Sequence, residues 1–486
     1  MMKNSAGCTP GSRRIWSLMV LLLTASFVLS ACQSPRLADR LGPPWNSVKV
    51  RDRATELTEL DAPPLVPLPS EDKVLSYEEC MALATQHAPD LVDGAIALEV
   101  AEIDTEQAFW KRMPNVQAIF RVTANLTHNY SEYDDTSYRF ALGIYGFEPV
   151  VSYFSSQAAK LMENIAVDIY QVALEKRAEQ IGKSMLRLEH FRRMRDLNVQ
   201  LVSLADRSRK HQVAVEGAAM DQLGHAKSRQ LHAKAKAELE KTDIAIASEL
   251  LTLKIMMGFD LDRKLQVSGD DLDALLRKDV ALDVFAKGAW EDVWRLSPDA
   301  RVARTSHRLA DYGVRTAWAR YLPSVTFDIY TANPYSDYAS YSSDDEVFFT
   351  MQFSMPLWDW GDRYRNVEQR RLQKVQASQR VKMNRLKFAG KWNTAWQEQR
   401  LALATFEVAK LKVDARKLEE RKLSLLYDAR QAEFSGVVDA GEIRIEEEMK
   451  MQEAALEVRL TELSNWFLSG KFRERFFSRN IENEGK

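Results

Sequence analysis

The chain has 486 residues, room for about three ordinary domains. Its 67 Lys and Arg balance 69 Asp and Glu, which argues against binding of nucleic acid or another polyanion as the main task. With 28% charged residues and a mean hydropathy of −0.35 it is no bundle of membrane-spanning helices, and 45% hydrophobic residues exclude wholesale disorder.

At the N-terminus, Lys3, Arg13 and Arg14 precede an apolar run over residues 15–29, and Leu29-Ser30-Ala31-Cys32 follows. A basic stretch, a short apolar run and small residues make a secretory signal peptide of residues 1–31. Leu-Ser-Ala-Cys resembles the bacterial lipobox, which implies that Cys32 is the first mature residue and carries lipid such as palmitate. Gln33 behind it fits sorting to the outer membrane. Residues 32–74 hold seven of the fifteen prolines and read as an extended, lipid-anchored linker. Cys8 leaves with the signal, so Cys80 has no partner for an intramolecular disulfide.

Beyond the linker, prolines mark where helices cannot run. None occurs over residues 150–297 or 357–486. Leu174, Ala178, Ile181, Met185 and Leu188 step by four and three in the first run, continued by Leu197, Leu201 and Leu204. Leu401, Ala404, Val408, Leu411, Ala415 and Leu418 do so in the second. Such spacing predicts coiled-coil seams on long helices.

Between these runs lie four stretches that alternate with period two. Val116, Ala118, Phe120, Val122, Ala124 and Leu126 form the first apolar face, and Tyr138, Phe140, Leu142 and Ile144 the second. Val325, Phe327 and Ile329 form the third, and Val347, Phe349, Met351, Phe353 and Met355 the fourth. Each matches a membrane-crossing strand of about 9–11 residues, with Phe120, Phe140, Phe327 and Phe349 facing lipid. Phe109, Trp110, Trp318, Tyr321, Trp358 and Trp360 suit an interfacial girdle. Alternation does not say whether the apolar partner is lipid or protein. Four strands close no membrane barrel and an open edge in lipid is costly, so if these strands span a membrane several chains must share one.

The landmarks recur. Pro89-Asp90 and Pro298-Asp299, like Pro114 and Pro323, are separated by 209 residues, with Pro149 and Pro356, and Gly217 and Gly436, at similar offsets. The chain therefore reads as an internal duplication: residues 75–289 (strands near 115–127 and 137–148, helical hairpin near 152–257, connecting segment 258–289) and residues 290–468 (strands near 324–331 and 346–355, hairpin near 361–468). Residues 469–486 form a tail. The fold class is α+β, mostly α.

These segments resemble the TolC-like outer membrane efflux proteins: residues 75–84 (Leu-Ser-Tyr-Glu-Glu-Cys-Met-Ala-Leu-Ala) before His87-Ala88-Pro89-Asp90-Leu91, the motif Met355-Pro356-Leu357-Trp358-Asp359-Trp360-Gly361-Asp362-Arg363, and Gly217-Ala218-Ala219-Met220-Asp221. The resemblance covers roughly residues 74–467. It implies a homotrimer: a twelve-stranded barrel shared in the outer membrane of a Gram-negative bacterium, and antiparallel helical hairpins forming a periplasmic α-barrel. It also implies a periplasmic adaptor and an inner-membrane transporter docking at the hairpin tips, here Gly217, Asp221 and Gly436. Residues 258–289 and the tail would form an equatorial belt. At the second tip the sequence departs from the family: Glu442 stands for its first carboxylate and Ile445 for its second. Asp439, Glu442 and Arg444 are the candidate periplasmic gate, with Arg444 pairing to Glu442 or to a neighbouring chain.

No phosphate loop, His-Glu-x-x-His or Cys-x-x-Cys motif is present, and no enzymatic activity or cofactor is expected. His225 and His232 lack a third ligand nearby and read as solvated helix histidines; Glu446-Glu447-Glu448 reads as a polar helix face. Two functions remain open: a trimeric exit duct for efflux or type I secretion, or a structural periplasmic coiled-coil lipoprotein with a soluble β cap.

Overall fold

The computed structural model describes residues 73–124, 136–215, 222–279, 289–331, 347–355, 357–431 and 433–477. The signal peptide, Cys32 and the linker, the tips of both strand hairpins, Gly217 and Asp221 lie outside them. The chain divides into two compact units. The smaller, residues 1–47 with 473–486, is described only over 473–477. The larger, residues 48–472, carries the sheet and the long helices.

Prolines open the helices. Pro89, Pro149 and Pro298 each stand at the first residue of one, where the missing N–H has no helical partner to lose. The series is β1 (Val74–Leu75), α1 (Tyr77–His87), α2 (Pro89–Trp110), β2 (Val116–Ala124), β3 (Thr136–Phe147), α3 (Pro149–Val215) and α4 (Gln222–Met257). It continues with β4 (Gln266–Val267), α5 (Asp270–Asp279), α6 (Trp290–Leu296), α7 (Pro298–Ala319), β5 (Ser324–Thr331) and β6 (Val347–Ser354). The last helices are α8 (Asp362–Asp428), α9 (Phe434–Leu468) and α10 (Lys471–Phe477). One order therefore occurs twice: a short helix, a helix of 22 residues, two strands, a helix of 67 residues and one of 35 or 36. At ~1.5 Å per residue each 67-residue helix is about 100 Å long.

α3 is the central packing element: α1, α2, α4, α7 and α9 all rest on it. Its seam supplies the core, with Leu174, Ala178, Ile181, Met185 and Leu188 at most 1% exposed. Against it stand Tyr77, whose hydroxyl donates to the Ala178 carbonyl at 3.1 Å, and Trp466, whose ring meets Phe472 edge-on at 5.2 Å. Cys80 is free and buried here, and burial pushes its thiol up to about 12, so it stays protonated and inert at neutral pH.

The second heptad run behaves differently. Leu401, Val408, Leu411 and Leu418 of α8 are exposed, because α8 turns its opposite face, carrying Val367, Phe388, Trp392 and Val413, to the rest of the chain. The seam on α8 is therefore not the seam of its hairpin with α9.

All four long strands form one antiparallel sheet in the order β2-β3-β5-β6, so β2 and β6 are its edges. The Asp-x-Gly-x-Arg motif leads from β6 into α8. The Asp359 carboxylate accepts hydrogen bonds from the Gly361 and Arg363 amides, at 3.1 and 3.3 Å, while Gly361 takes a φ of 84°. Only a glycine enters that left-handed conformation without strain.

Gly258 ends α4 with a φ of 72°, and a Cβ there would lie 2.3 Å from the His87 carbonyl oxygen. Gly258→Ala combines left-handed strain with overpacking and should cost about 2–5 kcal/mol, read as a lowered midpoint of denaturant unfolding.

Candidate functional site

Register gives the sheet two unlike faces. Ala118 pairs with Leu142 and Phe120 with Phe140; Ile329 pairs with both Leu142 and Phe349, and Phe327 with Ile144 and Met351. These partners fall on one face because side chains alternate across a strand. Phe120 and Phe349 are 64% and 66% exposed, so no described part of the chain covers them; Phe327 is half-buried, its ring centroid 6.4 Å from that of Phe349. On the opposite face lie Gln117, Gly143, Thr326, Asp328 and Thr350. Strands meet closely there, since a Cβ on Gly143 would stand 2.6 Å from the Phe327 carbonyl oxygen. Among the described residues no helix is long and apolar enough to cross a membrane.

The second candidate region lies at the start of α9. The reversal from α8 is made by Arg430 at a φ of 56°, with amides of Arg430 and Gln431 bonded back to the Tyr427 and Leu426 carbonyls at 2.8 Å. Gly436, taken from the sequence as the turn, is the third residue of α9. Phe434, at the helix start, stacks on His211 of α3 at 4.1 Å and touches Tyr427 at 5.5 Å.

Charges on α9 then divide between its two flanks. Lys234 of α4 donates to Glu442 at 2.9 Å and to Glu446 at 2.6 Å. On the other flank Arg444 reaches Glu420 of α8 at 2.6 Å and Glu448 at 2.7 Å, and Lys417 of α8 meets Glu448 at 3.2 Å. Two ionic clamps thus tie α9 to both hairpins. Arg444 does not pair with Glu442 within the chain, as the sequence allowed, because residues two apart on a helix point apart. Asp439 is exposed. Ile445 is 1% exposed and packs with Leu201, Leu231 and Val438, so it belongs to the core. Gly441 lets this packing close up: a Cβ there would meet Leu204 at 3.0 Å and the Glu420 carboxylate at 3.3 Å.

The Lys234 ammonium is held above the usual lysine range, first by its hydrogen bond to Glu446 and then by that to Glu442. A raised lysine stabilises the fold at every pH below its ordinary value and loses that contribution only as pH rises through the raised one. The lysine side of this clamp therefore persists across neutral pH.

Sequence reasoning missed Lys234, Glu420 and the separate roles of Glu446 and Glu448, reading the three glutamates as one polar face. The signal was present in two i,i+4 pairs, 442/446 and 444/448, which lie on different flanks. His232 was read as solvated; it bonds Asp206 of α3 at 2.9 Å with a side chain 16% exposed. Among the described residues no group of three or more His, Cys, Asp or Glu is placed to hold a metal ion.

No family model and no curated protein matches the sequence. Solved structures do match its fold. The outer membrane protein VceC from Vibrio cholerae is 14% identical with a TM-score of 0.66, over 81% of this chain and 96% of that one. The CmeC outer membrane channel of Campylobacter jejuni is 14% identical with a TM-score of 0.68, over 84% and 89%. The MtrE outer membrane channel of Neisseria gonorrhoeae, solved in its open state, is 16% identical with a TM-score of 0.68, over 81% and 88%.

Proposed function

We propose that this chain, which has the fold of the TolC-like outer membrane channels, is one of three protomers of a Gram-negative outer membrane exit duct. The duct passes substrates from an inner-membrane transporter and a periplasmic adaptor to the exterior.

The observation that carries this reading is the sheet. Among the described residues it has one uncovered apolar face and two open edges, β2 and β6. Water disfavours that face, and lipid disfavours those edges. Both are relieved when β2 of one copy pairs with β6 of the next until the ring closes inside a bilayer. Three copies give twelve strands. The uncovered stripe on α8 adds to this, because it needs an apolar partner and the described chain offers none. An interface made from two different surfaces of one chain builds a ring.

In this reading Cys32 carries the lipid anchor and the hairpin tips, with Gly217, Asp221 and Gly436, meet the adaptor. The intact mass of the mature protein should equal that of the chain from Cys32 plus its acyl groups; an unmodified Cys32 would remove the anchor. The ionic clamps on α9 hold the tip at rest. Purified trimers in planar bilayers should conduct, and Lys234→Met or Arg444→Ser should raise resting conductance. Lys234→Met leaves Glu442 and Glu446 without their lysine, and Arg444→Ser leaves Glu420 without its arginine while Glu448 keeps Lys417; each should lower stability by about 1 kcal/mol. Asp439→Ala with Glu442→Ala should reduce cation selectivity, since rings of carboxylates favour cations. Trimers that never conduct would favour the scaffold lipoprotein. Conducting trimers unmoved by these substitutions would place the gate elsewhere.

A further inference from the structure

All four long strands meet the helices at one end of the sheet. β2 and β5 start there, after α2 and α7, while β3 and β6 end there, ahead of α3 and α8. The two 22-residue helices finish alike, one in each half: Lys111 is the C-cap of α2 and Arg320 the C-cap of α7, and Arg112 follows the first. Lys111 and Arg320 are exposed, and among the described residues none of these three cations forms an ion pair. The guanidinium of Arg112 is held over the rings of Phe109 and Tyr153, at 5.6 and 5.3 Å from their centroids.

The acids nearby are mostly occupied. Asp359 is bonded by Arg363 at 3.3 Å, and Asp362 lies 3.8 Å from Arg365, while Glu148 lines the same cleft as Lys111. Two tryptophans stand beside the cations, Trp110 at 61% and Trp318 at 49% exposed. An open cleft of about 690 Å³ adjoins Trp110 and Lys111, between the end of α2 and the start of α3.

We propose, on the reading of the sheet as membrane-inserted, that this junction binds the headgroups of anionic phospholipids through Lys111, Arg112 and Arg320, flanked by Trp110 and Trp318. Cations attract the phosphate diester, tryptophan rings settle at headgroup depth, and the acyl chains continue along the apolar sheet face. Favourable interaction with a helix dipole accounts for a cation at each C-cap. It does not account for Arg112, or for an exposed tryptophan beside each cap.

The test uses the full-length protein reconstituted into vesicles of equimolar phosphatidylglycerol and phosphatidylcholine, extracted in a neutral detergent, with the co-purifying lipids counted by native mass spectrometry. Phosphatidylglycerol should be enriched, by up to about fivefold for each cation near the anionic surface. The triple substitution Lys111→Ser, Arg112→Ser and Arg320→Ser should abolish the enrichment. Lys111→Arg with Arg320→Lys should keep it, as should Lys410→Ser with Lys422→Ser, far along α8. Should the triple variant not assemble, Arg320→Ser alone decides, with an expected loss of about fivefold. Equal retention of both lipids by the unaltered protein would overturn the proposal, as would an enrichment that survives the substitutions. Displacement of the lipid by millimolar inorganic phosphate would also overturn it, marking a free-phosphate pocket. Insertion into pure phosphatidylcholine vesicles separates the outcomes: without insertion the membrane reading itself fails, whereas insertion without lipid preference defeats only the headgroup site.

Discussion

Arginine in place of Phe349 should keep the protein from assembling in the membrane. The side chain projects from the uncovered face of β6, beside Phe327 and across from Ile329. A cation on the lipid face near mid-bilayer costs ~2–4 kcal/mol per chain, and a closed ring of three carries that cost three times. Phe120→Arg on β2 should behave likewise. Thr350→Arg, one residue along the same strand, points to the polar face opposite Asp328 and should be tolerated. Trimers resistant to heat in detergent, and protein recovered with outer membranes, are the readouts. Equal behaviour of Phe349→Arg and Thr350→Arg would return the sheet to a soluble cap.

Glutamate at both Leu411 and Leu418 should leave monomers. These residues are 64% and 69% exposed along α8 and continue the stripe of Leu401 and Val408. Burying each leucine fully against a neighbouring copy is worth about 1.5–3 kcal/mol, and a carboxylate there removes that gain and adds a desolvation cost. Since these positions do not serve the core of the chain, the monomer should keep its helix content. Cross-linking and native mass spectrometry would read the change; intact trimers would show that copies meet through another surface.

The leucine stripe also shows where sequence reading stops. Leu174 to Leu188 on α3 and Leu401 to Leu418 on α8 carry the same spacing, yet the first is core and the second is bare. Period three and four says that an apolar partner exists, not whether it belongs to the same chain. The long helices were legible because no proline interrupts residues 150–297 or 357–486, although the first was expected from about 152 and begins at Pro149. The two sheet faces were legible because period two needs no knowledge of partners. The reversal before α9 was not: it rests on Arg430 at a positive φ, and an arginine gives no compositional sign of that, whereas Gly436 invites the assignment. The clamps on α9 escaped for a related reason. Lys234 and Glu442 stand 208 residues apart and meet only because α4 and α9 both pack on α3.

The two bare edges of the sheet carry a genetic consequence. In the proposed ring, β2 and β6 differ in sequence, so each copy would offer one edge forwards and the other backwards, and the ring would be as sound as its weakest seam. A copy whose β6 cannot insert spoils the one seam that β6 makes, leaves the ring open, and takes two normal copies with it. In a cell expressing normal and altered chains equally, only about one trimer in eight would be built wholly from normal copies. Substitutions in these strands should therefore act dominantly, and those inside the core of a single chain, which remove that chain before it meets its neighbours, recessively.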